Sequence, residues 1–389
     1  MQHNRTFYEF FAGGGMARAG LGLGWQCLFA NDIDGKKVSV YRSNWGEDHL
    51  VQGDVAALSA TDLPGIADLV WASFPCQDLS LAGDWQGLGT RSQNKRTRSG
   101  TFWPFWSLIE ALVRLHRAPK VIVLENVVGA LTSNGGKDFA AIAAALSSTG
   151  YRLGAMVVDA KYFVPQSRPR LFIVAVNEAL SIPPELHTAE AIPPFHSPTL
   201  VGAFGSLPAH TKRNWLWWRL PAPPQCKDIF ADLIEADPAG VKWDTEAETQ
   251  RLLGMMSDIN REKVTAAQKR GSLQVGGVYK RTRLHGGRKV QRAEVRFDDV
   301  AGCLRTPRGG SSRQRILLVE GDKIRSRLLS PREAARLMGL PDHFKLPSNY
   351  NDAYHVAGDG VVVDVVRHLA AHLLEPLLDN QQPVREAAE

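Results

Sequence analysis

Several short segments of this 389-residue chain carry residue types that could do chemistry. Phe10-Phe11-Ala12-Gly13-Gly14-Gly15 follows a strand-like run and opens a helical one. Glycines there permit a tight turn and let a ligand approach the backbone at the carboxyl end of the strand. Asp32 closes the next strand-like run, Cys27 to Ala30 followed by Asn31. A carboxylate in that position can hold ribose hydroxyls. Together they point to an adenosine-containing cofactor, although a turn and a helix cap would use the same residues. The glycine spacing differs from G-x-G-x-x-G, which disfavours a nicotinamide dinucleotide.

Pro75-Cys76-Gln77 follows the strand-like run Asp68–Ser73. A lone cysteine is commonly a small buried hydrophobe. Here it is expected at a strand end, held by a proline and followed by a basic, Gly-rich loop, Gly83–Gly100. Nearby positive charge favours the reactive thiolate. Glu125, in Glu125-Asn126-Val127, follows the apolar run Val121–Leu124. It could cap a helix, bind a cofactor or donate a proton. Arg168 and Arg170, in Gln166-Ser167-Arg168-Pro169-Arg170, are two residues apart in an extended stretch and so share a face. That suits anion recognition or a surface salt bridge.

The elements that must position these residues alternate. Strand-like runs at Thr6–Phe11, Cys27–Ala30, Asp68–Ser73, Val121–Leu124 and Leu171–Ala175 are separated by helical patterns such as Phe102–His116. This alternation predicts an α/β fold with a doubly wound, mostly parallel sheet. Regularity fails after Ser181, where prolines cluster. It returns at Ser330-Pro331-Arg332-Glu333, which reads as a helix start with a capping box. A last amphipathic helix is expected over Val361–Leu374.

The composition, 44% hydrophobic and 22% charged, excludes a disordered or fibrous chain. No apolar run reaches the length of a membrane span, and no signal peptide is evident at the start, so an intracellular protein without membrane association is expected. The four cysteines show no metal-binding spacing, so no metal is expected. Charge is uneven. Residues 261–336 hold 20 Lys and Arg against 7 Asp and Glu, a net of +13, while the rest of the chain has a net of −7. A basic segment interleaved with Gly and Ser suits a polyanion such as nucleic acid, or a solvated basic surface.

Taken in order, these motifs resemble the DNA (cytosine-5)-methyltransferase family. The resemblance rests on Phe11–Gly15, Pro75-Cys76-Gln77, Glu125-Asn126-Val127, Gln166–Arg170 and the stretch Leu329–Arg336 with Met338–Asp342. It implies a Rossmann-like catalytic domain over 1–188, an inserted target recognition domain over 189–326, and C-terminal helices over 327–389 that complete the first. The cofactor would be S-adenosylmethionine, leaving as S-adenosylhomocysteine. Phe11, Gly13, Gly15, Asp32, Ile33, Asp54, Val55, Pro75 and Phe102 would bind it. Cys76 would be the nucleophile. Glu125 would hold the flipped cytosine, with Arg168 and Arg170 orienting it, and the Gly83–Gly100 loop would close over it. Gln77, Arg305, Arg308, Arg313 and Gln314 are the residues expected to contact duplex DNA. Trp215-Leu216-Trp217-Trp218 is expected to form the packing core of the insertion.

The resemblance also implies a prokaryotic cytoplasmic or nucleoid enzyme, whose system can include a separately acting restriction endonuclease; one contiguous catalytic set in one chain permits a monomer. Two other readings use the same residues: a transfer-RNA cytosine-5 methyltransferase, and a non-catalytic DNA-binding relative. The chain departs from the family pattern at Gly358-Asp359-Gly360, where a Gly-Asn pair is usual, at Glu9 for Asp, and at Cys303-Leu304 for Thr-Leu.

Overall fold

Short runs of β-branched and aromatic residues pair into a sheet of seven strands. In the computed structural model, which describes residues 5–75, 99–305 and 312–379, they are β1 (Arg5–Phe10), β2 (Trp25–Asp32), β3 (Leu50–Gln52), β4 (Leu69–Ala72), β5 (Val121–Val127), β6 (Tyr151–Asp159) and β7 (Pro169–Asn177). Their spatial order is β3-β2-β1-β4-β5-β7-β6. β1 pairs in parallel with β2 and β4, β2 with β3, and β4 with β5. Helices α1 (Met16–Leu21), α2 (Gly35–Trp45), α3 (Phe102–Arg114) and α4 (Lys137–Ser148) lie between successive strands of the chain. This is the doubly wound, mostly parallel architecture that the alternation predicts. β7 departs from it by pairing antiparallel with β5.

The strands are apolar on both faces, as a covered parallel sheet requires. Tyr8, Phe10, Val70, Ala72, Ile122 and Leu124 share one core layer with Phe105 and Ile109 of α3 and Phe139 and Ile142 of α4. Alternate residues, Phe7, Glu9, Trp71, Val121 and Val123, face the other way and are equally buried.

The sequence reading missed β6, because Gly154 interrupts its pattern. The glycine is required by close approach. A Cβ there would lie 2.0 Å from the Leu216 carbonyl and 2.8 Å from the Trp218 ring. Trp218 Nε1 donates to the Val174 carbonyl at 3.1 Å, and Trp217 joins the core layer beneath the sheet, with Trp215 packed against that layer. The tryptophan cluster is therefore packing core, as expected, but the core of the large sheet and not of the insertion.

The segment that follows β7 holds the short strands β8 (His187–Thr188) and β9 (Trp217–Trp218), with α5 (Pro198–Gly205) and α6 (Ala209–Arg213) between them. Beyond it come α7 (Glu246–Gly254), α8 (Asp258–Lys269), β10 (Gln274–His285), β11 (Arg288–Arg296), β12 (Arg315–Glu320), β13 (Lys323–Leu328), α9 (Pro331–Arg336), α10 (Tyr350–Asp359), α11 (Val363–Leu369) and α12 (Glu375–Asp379). β10–β13 form an antiparallel sheet in the order β11-β10-β12-β13. Leu252 and Met256, together with Val264 and Ala267 of α8, pack on its Val278, Ala293, Val295, Leu317 and Val319. No helix among the described residues is long and apolar enough to cross a membrane.

The chain divides into two compact units. One comprises Met1–Val158, Pro169–Pro223 and Val365–Glu389, the other Asp159–Arg168 and Pro224–Asp364. These divisions do not coincide with the sequence boundaries at 189 and 326. Residues 189–223 group with the large sheet, and 327–364 with the small one. In the first unit, Arg5 pairs with Asp379 at 2.6 Å and Trp25 donates to Glu375 at 3.1 Å, which anchors α12 to the start of β1 and β2.

α9 begins as its sequence predicts. Ser330 Oγ accepts from the Glu333 amide at 3.1 Å, and Glu333 accepts from the Ser330 amide at 2.7 Å. Glu333 also pairs with Arg327 at 2.6 Å, with both side chains fully buried. Removing one partner leaves the other charge buried without compensation. Glu333→Ala is expected to lower stability by about 3–5 kcal/mol, read as a lower urea midpoint. An unchanged midpoint would contradict the role given to this pair.

Candidate active site

Parallel pairing brings the carboxyl ends of β1, β2, β4 and β5 to one edge of the large sheet. The chain order reverses direction at β1, with β2 on one side and β4 on the other. That is the point where open α/β sheets bind ligands.

At the end of β1, Phe11 adopts φ 56°. A bulky residue in the left-handed region is a local strain that the surroundings must hold. Its ring meets Phe105 edge-on at 6.2 Å. The Gly13 amide donates to Asp32 Oδ2 at 2.8 Å, and the Asp34 amide donates to Asp32 Oδ1 at 2.8 Å. Each oxygen of the buried Asp32 carboxylate keeps acceptor capacity for a further donor. Gly15, at φ 78°, is required where it stands, because a Cβ would lie 2.3 Å from Trp45 Nε1. That indole donates instead to the Gly14 carbonyl at 3.1 Å.

Ile33 beside this turn is 66% exposed, and a Cβ on Gly13 would meet nothing within 4 Å. Asp54 caps the turn at Val55 through the Ala56 amide at 2.9 Å. Asn31 bonds the Val51 and Gly53 carbonyls, both at 3.0 Å, and so holds that turn against β2. An anchored carboxylate, an exposed apolar side chain and open space at a glycine fit an adenosine group. Val55 and Phe102 are buried, and Phe102 stacks on Trp106 at 6.0 Å in the core.

Pro75 is half-buried at the end of the segment leaving β4. Cys76, Gln77 and nearly all of the Gly83–Gly100 loop lie outside the described residues. The approach to Cys76 is nonetheless fixed. Asn126 Nδ2 donates to the Phe74 carbonyl at 3.1 Å, which ties β5 to the chain two residues before the cysteine. No sequence signal assigned that role to Asn126, because it depends on which strands are neighbours.

Glu125 lies within β5 and is 7% exposed. Arg170 Nε stands 3.3 Å from Glu125 Oε1. Antiparallel pairing opposes Glu125 to Phe172, so Arg170 reaches it diagonally across the strands. The carboxylate thus stands on the same strand as Asn126, one residue before it.

Arg168 belongs to the second unit and behaves differently. Its Nη1 donates to the Leu304 carbonyl at 3.1 Å, and its Nη2 to the carbonyls of Gly358 and Gly360, both at 2.8 Å. It is 2% exposed. Arg168, one of the two arginines that suited anion recognition or a salt bridge, is engaged here by backbone carbonyls. Arg168 braces two backbone segments, one of them the departure at Gly358-Asp359-Gly360. Gln166 works beside it, accepting from the Leu304 amide at 3.1 Å and donating to the Leu337 carbonyl at 2.7 Å.

Of the residues expected at DNA, Arg305 is exposed and Arg308 lies outside the described residues. Arg313 stands over the Tyr350 ring at 5.6 Å and bonds Asn351. Gln314 is 1% exposed and accepts from Tyr279 Oη at 3.2 Å. Its side chain is buried beside Tyr279 and not on the surface. Among the described residues, no group of three or more His, Cys, Asp or Glu side chains could hold a metal ion.

A buried polar cluster supports the glycine turn from the other face of β1. Arg18 donates to Tyr41 Oη at 3.1 Å and contacts His49. Burial pushes the Glu9 carboxyl up to about 8 against the opposing pull of Arg18, and pushes the Cys27 thiol up to about 12. Glu9 therefore holds its proton more tightly in the folded chain than at its ordinary value of 4.5. The stability this contributes is fully present below pH 4.5 and is lost as pH rises through about 8. Glu9→Gln is expected to flatten the decline of Tm between pH 6 and 9, measured by thermal melts at each pH. Parallel profiles for variant and wild type would contradict the buried, protonated Glu9.

A family model of C-5 cytosine-specific DNA methylases matches residues 5–375. Type II methyltransferase M.DsaV of Dactylococcopsis salina is 27% identical over 370 residues, covering 95% of this chain and 85% of that protein. Type II methyltransferase M.HpaII of Haemophilus parainfluenzae is 28% identical over 394 residues, covering 96% and 90%. Among solved structures, the Dnmt2 methyltransferase of S. pombe aligns with a TM-score of 0.57 at 17% identity, covering 96% of this chain and 99% of that one. The last similarity is one of fold.

Proposed function

Since the chain belongs to the C-5 cytosine-specific DNA methylase family, we propose that it methylates C5 of a flipped-out cytosine in a specific duplex DNA sequence. S-adenosylmethionine, when bound, supplies the electrophilic methyl group. Asp32 would take the ribose hydroxyls, Phe11 and Ile33 the faces of the adenine, and Asp54 its amino group.

The observation that carries this reading is the convergence at one sheet edge. Asp32 ends β2, Glu125 near the end of β5 pairs with Arg170 at the start of the antiparallel β7, and Asn126 holds the segment that leads into Cys76. Cytosine C5 is a weak nucleophile. Addition of the Cys76 thiolate to C6 breaks the C5–C6 double bond and concentrates electron density at C5. Glu125 would hold a proton at cytosine N3 and offset the negative charge that develops there. Arg170 fixes the orientation of that carboxyl. Once the methyl group is in place, loss of the C5 proton to a base restores the double bond and expels the thiolate. The ring edge is closed inside a duplex, so the base must leave the stack at a cost of about a few kcal/mol. Arg168 contributes by holding 303–304 and 358–360 together, a positioning role. The Type II names of the relatives support a place in a restriction-modification system, beside a separately acting endonuclease.

Transfer of labelled methyl from S-adenosylmethionine to duplex DNA tests this. Cys76→Ala is expected to lose at least about 10³-fold of the incorporation rate, and to form no covalent adduct with DNA containing 5-fluorocytosine, which traps the wild type. Undiminished incorporation by the variant would contradict the mechanism.

A further inference from the structure

One buried carboxyl group beneath the glycine turn takes no part in the proposed chemistry. Glu9 lies inside β1, two residues before Phe11, and is 1% exposed. The titratable and charged side chains around it are Arg18 of α1, Cys27 and Asp32 of β2, Tyr41 of α2 and, through Tyr41, His49 from the segment before β3. The Glu9 carboxyl accepts from the Arg18 backbone amide and the Tyr41 hydroxyl. That amide belongs to the first turn of α1, where donors have no carbonyl partner within the helix. Gly15, the N-cap, makes no side-chain cap, so the strand supplies the acceptor. The other carboxyl oxygen, Oε2, makes no hydrogen bond among the described residues.

Arg18 is the cation of this group. Its guanidinium stands 5.0 Å from the centre of the Trp45 ring and 5.8 Å from that of Tyr41, and it donates to Tyr41 Oη at 3.1 Å. The Trp45 indole fills the space that a Cβ on Gly15 would need, and donates to the Gly14 carbonyl at 3.1 Å. In the same turn the Gly13 amide donates to Asp32 at 2.8 Å. A continuous chain of contacts thus joins Glu9, through Arg18 and Trp45, to the turn expected to hold the cofactor's adenosine.

We propose that Glu9 and Arg18 are positioning residues for the cofactor, and that the proton on Glu9 sets their arrangement. With the carboxyl neutral, Arg18 stays against Tyr41 and Trp45, and the indole holds the turn against Asp32. A carboxylate buried there without its proton lacks compensation. Arg18 is the cation beside it, so ionisation draws the guanidinium off the Trp45 ring and loosens the bond to Gly14. Burial pushes the Glu9 carboxyl up to about 8, against the pull of Arg18, and the Asp32 carboxylate adds to the rise. Burial also pushes up Tyr41, and the Cys27 thiol to about 12, while burial and Arg18 push His49 below its ordinary 6.5. Among these shifted groups, Glu9 is therefore the one that changes charge as pH rises through about 8. Cofactor affinity is full while Glu9 is protonated and is lost as pH rises through that value. This rests on the reading of Asp32 and the glycine turn as the cofactor site.

Calorimetric titration of the full chain with S-adenosylhomocysteine between pH 6 and 9, below the Tm of each protein, tests this. The ligand's own titration is common to every protein and cancels in the ratio of their dissociation constants. Glu9→Gln keeps a neutral group of the same shape. The wild-type constant relative to that of Glu9→Gln is expected to be level up to about pH 7 and to rise at least about fivefold by pH 9. Trp45→Phe keeps a ring under Arg18 and loses the indole N–H. It is expected to bind about fivefold more weakly than wild type at pH 6, and the wild type should converge on it as pH rises. Wild-type constants that keep a fixed ratio to both variants across the range would overturn the proposal. A rise that persists in Trp45→Phe would overturn the route through the indole. Folded wild type that binds no S-adenosylhomocysteine at any pH would instead sink the cofactor reading on which the proposal rests.

Discussion

Parallel hydrogen bonding among β1, β2, β4 and β5 is the constraint on which the candidate site depends. Parallel strands all end at the same edge, so each loop that follows a strand opens onto the same crevice. Residues 11, 32, 75 and 125 are far apart in the chain and arrive together because of that pairing. The buried faces of the strands drive the pairing. Roughly 25 cal/mol is gained per Å² of apolar surface removed from water, and both faces of these strands are covered. Chemistry is then left to side chains at strand ends, where burial gives way to polar backbone.

Three local interactions convert that edge into a site. The Asp32 carboxylate accepts amides from Gly13 and Asp34, so the first turn and the second strand are fixed to each other. Trp45 fills the space beside Gly15 and bonds the Gly14 carbonyl, which gives the turn one conformation. Asn126 holds the Phe74 carbonyl and so sets the start of the segment carrying Cys76. None of these groups reacts in the proposed mechanism. Each removes freedom from a segment that would bind the cofactor or carry the nucleophile, and catalysis gains when reacting atoms are held in place in advance.

The parallel sheet, the glycine turn, Asp32 and the α9 capping box were legible because each rests on local rules of strand alternation, turn chemistry and capping. What could not be read depended on neighbours distant in sequence. β6 was hidden because Gly154 breaks its pattern to admit Leu216 and Trp218. Trp218 was placed in the wrong core for the same reason. Arg168 and Arg170 look alike in the chain, but one meets backbone carbonyls and the other a carboxylate. Gln314 stands next to Arg313 and Arg315 in a basic segment, yet its side chain turns inward to Tyr279. Composition reports the charge of a segment and not which of its side chains face water.

Residues 280–293, which span the turn between β10 and β11, hold six Lys and Arg and no Asp or Glu, so part of the charge excess of the sequence falls on the small sheet of the second unit. The large sheet supplies the carboxylates of the proposed chemistry. The central claim is that this chain marks cytosine in duplex DNA at one sequence. Bisulfite sequencing of DNA from cells expressing it tests that claim most directly. The account predicts cytosines that resist conversion at a single short sequence throughout the DNA and are converted in cells lacking the protein. Complete conversion at every site, with the protein present and folded, would contradict it.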